Sequence, residues 1–377
     1  MGPNPLVGVI YHWIGGLASA SNFIPFRPIK RWSWEIYWII QGFAAWIVAP
    51  LVLAALLVPH LSTVLHTASS TILWRAAIWG ALWGIGGLTF GLSIRYLGIA
   101  LGYAIALGFC TAFGTLMPPI FSGQIVAISH QTGGRVILLG VAVCMAAIAV
   151  NGLAGYSKER EVPAEEKAAL GERDYSFGRG LAVAIFAGIM SSCFAYGLAA
   201  GKEIALIARA DLRSNGRADL WQNLPVLVVV LWGGFFTNFL WSAFLIIRNR
   251  SIAQFFGAPG TNPMGDSSAT AEPPLDADGR LRPRVLVINY LLASAAGVIW
   301  YFQFFFYSMG QTLMGKYDFS SWTLHMASII IFATLWGIAL KEWHDTSRRT
   351  KLLVTCGLFL LIASTVVVGY GNYLVAQ

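Results

Sequence analysis

"SKEREVPAEEKAALGERDYS", residues 157–176, has ten charged residues among its twenty, in a chain where only 11% are charged. Apolar runs lie on either side of it, and about 20 apolar residues suffice to cross a bilayer. Reading outward gives five such runs before it, at approximately 5–25, 34–58, 73–94, 97–120 and 136–155. Five more follow, at approximately 179–201, 222–247, 285–309, 319–340 and 351–374. Because five is odd, a second half built like the first must enter the membrane from the opposite side. The pattern predicts an all-α membrane protein, with ten transmembrane helices as two inverted five-helix repeats. Residues 1–156 form the first repeat, 157–178 a charged cytoplasmic connector, and 179–377 the second repeat. "RVILLGVAVCMAAIAVNGLAG" (135–155) aligns with "RTKLLVTCGLFLLIASTVVVGYG" (349–371), a faint internal echo of the kind inverted-repeat transporters carry. Such transporters place their substrate near mid-membrane.

Composition agrees with lipid as the main solvent. Of the 377 residues 57% are hydrophobic, and the mean hydropathy is +0.66. A soluble chain would carry about 25% charged residues. The net charge of +8 does not point to nucleic acid, because the basic residues sit in short loops, where they act as topology signals and meet anionic headgroups. Loops of odd number hold 18 Lys and Arg against 6 in the even ones. Odd loops are therefore expected in the cytoplasm, with both termini periplasmic. "LASAS" (17–21) resembles a signal-peptidase site, yet no Lys or Arg precedes Arg27, so the first run is read as a retained span. "GAPGTNPMGDSSATAEPPLDADGRLRPR" (257–284) is rich in Pro, Gly and Asp and reads as a disordered cytoplasmic loop. Cys110, Cys144, Cys193 and Cys356 lie in apolar runs without paired spacing, which argues against a disulfide framework or paired zinc ligands, and no metal or cofactor is expected.

What the spans contain narrows the ligand. None of the 17 acidic residues falls near the middle of a span, which disfavours an organic cation as cargo. Arg75, Arg95, Arg135 and Lys202 sit near span ends, where long basic side chains reach toward headgroups. The interior holds mainly neutral polar residues, His12, Ser19, Asn238, Gln303 and His325, among many aromatics. Amides and hydroxyls with aromatic faces suit a neutral polyhydroxylated ligand, since hydroxyls need both donors and acceptors and a sugar's C–H face packs on Trp or Tyr. Trp300, Gln303 and Tyr307 stand at i, i+3 and i+7 on one helix face, and Asp318, Trp322 and His325 are similarly spaced. A neutral ligand accumulated against its gradient needs a second driving force, and histidine titrates nearest physiological pH. His325, His12 and Asp318 are therefore the candidates for proton coupling, although either histidine can equally be structural. A membrane enzyme would want a carboxylate pair or His-Asp cluster beside the membrane, and "KEWHD" (341–345) is the one stretch that offers it. Export of another metabolite stays open on these residues alone.

Several longer motifs point further. "YHWIGGLASASNFIPFRPIKRWSWE" (11–35), "LWGIGGLTFGLSIRYLG" (82–98), "WYFQFFFYSMG" (300–310), "YDFSSWTLHM" (317–326) and "GIALKEW" (337–343) resemble the L-rhamnose–proton symporter family of the drug/metabolite transporter superfamily. The resemblance covers nearly the whole chain. It implies ten helices in two inverted repeats, an inner-membrane location and proton-coupled L-rhamnose uptake, with L-lyxose a further candidate substrate. His12, Gln303, Asp318 and His325 fall within those motifs.

Overall fold

The computed structural model describes residues 2–97, 99–161, 177–260 and 275–377. Ten long helices account for most of them: α1 (Pro5–Ser21), α2 (Trp34–Leu57), α3 (Ser70–Leu97), α4 (Ile99–Phe121) and α5 (Thr132–Glu161), then α6 (Phe177–Ala200), α7 (Leu224–Arg248), α8 (Pro283–Leu313), α9 (Ser321–Ala339) and α10 (Arg348–Ala376). No strand occurs among the described residues, only an isolated bridge between Leu275 and Leu281. Nine of these helices, α2 to α10, lie in segments long and apolar enough to cross a membrane. Helix α1 has 17 residues, or roughly 25 Å at 1.5 Å per residue. The chain is a multi-pass membrane protein.

Local chemistry sets the helix ends. Asn4 caps α1, its side-chain oxygen accepting from the Val7 amide, and Pro5 follows where no amide is needed. Pro283 plays the same part in α8. Ser347 caps α10, and Glu161 at the end of α5 accepts from both the amide and the hydroxyl of Ser347. Helix α2 is interrupted by a π turn at Ala44–Val48, just ahead of Pro50, whose missing N–H breaks the regular ladder.

Small residues bring the helices together. A side chain on Gly16 would collide with Ser328 of α9, and one on Gly80 with the Val230 carbonyl of α7. Without a hydrophobic drive between helices in lipid, such close approach provides much of the packing attraction. Helix α1 packs on α8 and α9; α6 packs on α3 and α4; α5 lies along α10; α7 packs on α3, and α2 on α8. The outer surface is apolar, with Trp74 69% and Phe359 71% exposed. Cys110, Cys144 and Cys193 are buried, and Cys356 lies exposed on the outward side of α10.

Of the segment 257–284, residues 261–274 lie outside the described residues. Its flanks are ordered. The Leu281 amide donates to the Gly257 carbonyl at 2.7 Å, and Leu281 is buried against Phe26, Ile29 and Trp32. Most of the charged connector, residues 162–176, also lies outside the described residues. Its first residues continue α5 to Glu161, and α6 begins at Phe177.

Candidate functional site

Two cavities enter the helix bundle from opposite ends. The near cavity, at the end that carries the N-terminus, has a volume of about 450 Å³. Its wall includes Pro3, Lys202, Asn223, Tyr307, Asp318 and Trp322. The far cavity, about 600 Å³, is lined by residues near the opposite ends of α1, α4 and α9, among them Ser19, Tyr103 and Gly337, together with Trp300.

Each helix distributes its polar and aromatic residues between the cavities. On α8, Trp300 lines the far cavity and Tyr307 the near one, with Phe304 between them. Seven residues of helix separate Trp300 from Tyr307, roughly 10 Å. On α9 the order is Trp322 at the near cavity, His325, then Ile329 at the far one. On α1, His12 stands at mid-helix and Ser19 reaches the far cavity. What divides the cavities is therefore a septum contributed by α1, α6, α8 and α9.

The septum is aromatic and buried. Phe194 of α6 stacks on Phe304 with ring centroids 3.9 Å apart, and Phe304 lies 5.8 Å from the His325 ring. The Tyr307 ring sits between the two histidines, 5.3 Å from His12 and 5.1 Å from His325. Trp322 closes the near side, 5.8 Å from Tyr307, its indole N–H donating to the Cys110 carbonyl at 3.1 Å. Ser328 ties the backbones together by donating to the carbonyls of His12 and His325. His12 and His325 are both fully buried, and neither ring nitrogen of either has a hydrogen-bond partner. The Gln303 amide nitrogen is likewise buried and unpartnered. An unmet buried polar group costs about 1–3 kcal/mol, so this concentration on the α1, α8 and α9 seam marks a place with unused bonding capacity.

The residues singled out from sequence thus divide. His12, Tyr307, Trp322 and His325 come together in the septum, and Gln303 belongs to the same seam, its carbonyl facing Gly15 of α1. Ser19 and Trp300 face the far cavity. Asn238 lines neither; its amide donates to the Gly234 carbonyl of its own helix and accepts from the Trp38 indole of α2. Asp318 shares the near cavity with Trp322, but not as part of the same helix. It sits in a 3₁₀ turn, Gly315–Ser320, that contains a non-helical Tyr317 (φ −109°, ψ 48°) and runs directly into α9 at Ser321.

Phe194, Phe304 and Ser328 are septum residues that the sequence did not single out. Phe304 lies in "YFQFFFY" (301–307), which reads equally well as packing, and nothing local distinguishes Phe194 in "SSCFAYG". Lys202, expected to reach headgroups, lines the near cavity. So do Arg209 and Asp219, joined by an ion pair at 3.2 Å that Arg213 reinforces at 2.7 Å. Among the described residues no group of His, Cys, Asp and Glu could hold a metal ion.

The family described as L-rhamnose-proton symport protein (RhaT) matches residues 1–259 and 270–373. The chain belongs to this family. L-rhamnose-proton symporters of Shigella sonnei and Escherichia coli (strain SMS-3-5 / SECEC) are each 32% identical to it over 366 residues, and that of Klebsiella pneumoniae is 31% identical. In each case the match covers 97% of this chain and 97% of the relative.

Proposed function

We propose that this protein takes up L-rhamnose, and related neutral sugars such as L-lyxose, together with protons across the bacterial inner membrane by alternating access. The near cavity faces the periplasm in this reading, with both termini, and the far cavity faces the cytoplasm. Ten spanning helices form two inverted repeats, residues 1–156 and 179–377, with the connector at 157–178 and the loop at 257–284 on the cytoplasmic side. The helix pairing supports the repeat. Moving every helix on by five turns the pairing of α1 with α8 and α9 into that of α6 with α3 and α4, and leaves the pairing of α5 with α10 unchanged. Lipid headgroups meet the basic loops.

The observation that carries the reading is the pair of buried, unpartnered histidines between two cavities, in a chain of this family. In the closed septum neither histidine has a partner for a charge, and an unpaired buried charge is costly. Both are therefore neutral. Sugar entering the near cavity meets Trp322 and Tyr307 first. Wetting of the septum lets His325, with His12 and Asp318 the next candidates, take a proton and offer hydrogen bonds to sugar hydroxyls. Gln303 supplies another donor. Proton and sugar together then satisfy groups that the empty protein leaves unmet, so each favours binding of the other. Sealed vesicles containing the purified protein test this. Labelled L-rhamnose should accumulate when the outside is acidified, and a protonophore should abolish accumulation but not exchange. Accumulation indifferent to the protonophore would refute proton coupling.

A further inference from the structure

Ser19 and Trp300 do not share a cavity with Tyr307 and Trp322, and the far cavity is not a bare passage. Trp300 is held in place from behind by other aromatics. Trp83 stacks on it at 5.9 Å with 28° between planes, Trp46 meets it at 5.6 Å and 79°, and Phe304 at 5.1 Å and 80°. Around the cavity stand Ser19, Asn151 and Thr334. Asn151 spends its amide N–H on the Ala147 carbonyl, which leaves its oxygen as an acceptor. The indole nitrogen of Trp343, another wall residue, is buried with no partner. Lys158 and Glu342 lie toward the rim, Lys158 over the Trp343 ring at 4.8 Å and Glu342 3.7 Å from Arg27. A volume of about 600 Å³ is in the usual range for small-molecule sites.

We propose that the far cavity is a second sugar station, distinct from the one at Trp322 and Tyr307 and filled in turn with it. The C–H face of a neutral sugar stacks on Trp300, and its hydroxyls bond to Ser19, the Asn151 oxygen, Thr334 and the Trp343 N–H. Trp46 and Trp83 are positioning residues that fix the plane of Trp300 and need not touch the sugar. The septum of Phe194, Phe304 and His325 separates the stations, so a sugar leaving one has a prepared surface to receive it. This inference rests on the transport reading above and adds where the cargo pauses.

The test uses the full chain with Cys356→Ser, which removes the exposed native thiol. Ser19→Cys is then introduced at the far cavity and, separately, Gln311→Cys at the near one. A membrane-impermeant maleimide is applied to one face of sealed vesicles of known orientation, with L-rhamnose or mannitol present. Ser19→Cys should react from the face opposite to that which labels Gln311→Cys, and L-rhamnose but not mannitol should slow it. Trp83→Leu should raise the half-saturating rhamnose concentration about three- to tenfold from the far side while leaving the near side unchanged, the loss expected when an aromatic contact is removed. Labelling of Ser19→Cys that saturating rhamnose does not slow, or a Trp83→Leu shift equal on both sides, would overturn the second station. Rhamnose uptake by the unsubstituted protein is measured alongside. If that uptake fails, the transport reading itself falls; if it is intact and protection is missing, only the second station does.

Discussion

Helix α1 packs against α8 and α9, and α6 packs against α3 and α4, yet the two seams treat their polar side chains in opposite ways. In the α3, α4 and α6 seam the hydroxyls serve the backbone. Thr89 donates to the Ile85 carbonyl, Thr111 to that of Leu107, Ser192 to that of Ile189, and Tyr196 to that of Phe113. In the α1, α8 and α9 seam, His12, Gln303 and His325 are buried with nitrogen atoms unpaired. The two seams thus spend their hydrogen-bonding groups differently. One seam satisfies its hydroxyls on its own helices; the other leaves buried nitrogens unpaired.

Four substitutions, with Gly87→Ala as a control, break or sharpen that contrast. The largest effect is expected from Gly16→Ala, because the added carbon would meet both the side chain and the backbone of Ser328. Overpacking of this kind costs about 1–3 kcal/mol, so thermal stability in detergent should fall and uptake should be lost. Gly87→Ala, with nothing within 4 Å, should leave both unchanged. A lesser loss follows His325→Gln, which keeps hydrogen bonding but cannot titrate. Proton-driven accumulation should disappear while downhill rhamnose exchange persists, read in vesicles with and without an imposed pH gradient. Unaltered accumulation would return His325 to a structural role.

Gln303→Leu keeps the bulk and removes the amide. Rhamnose affinity of the purified variant should weaken by about 1–2 kcal/mol, roughly five- to thirtyfold, if the sugar is the missing partner. Unchanged affinity would mean that the unpaired amide belongs to packing. The smallest effect is expected in the satisfied seam. Ser192→Ala removes a hydroxyl bonded only to its own helix, so affinity and accumulation should stay within about twofold and stability within roughly 1 kcal/mol. A larger transport defect there would erase the distinction between the seams.

Much of the fold was legible beforehand, for a physical reason. Lipid demands that each crossing segment satisfy its own backbone, so a crossing helix is written as a continuous apolar run. The predicted run at 179–201 corresponds to Phe177–Ala200, and that at 285–309 to Pro283–Leu313. Helix spacing likewise placed Trp300, Gln303 and Tyr307 along one side of α8. It could not say that Trp300 and Tyr307 look into different cavities, because that depends on what packs against the helix. Nor could it say that Asp318 stands in a 3₁₀ turn leading into α9 rather than in α9 itself.

Sequence by itself determined the membrane class, the helix order, the split about residues 157–176 and the neutral, aromatic character of the interior. These follow from composition and from periodicity along single segments, which local physics controls. Only the tertiary structure decided that His12 and His325 meet around Tyr307, that Phe194 arrives from α6 to close the septum, and that Asn238 is taken up by Trp38. Those contacts join residues up to 295 positions apart in the chain. They depend on which helix faces meet, and no single run of residues contains that information.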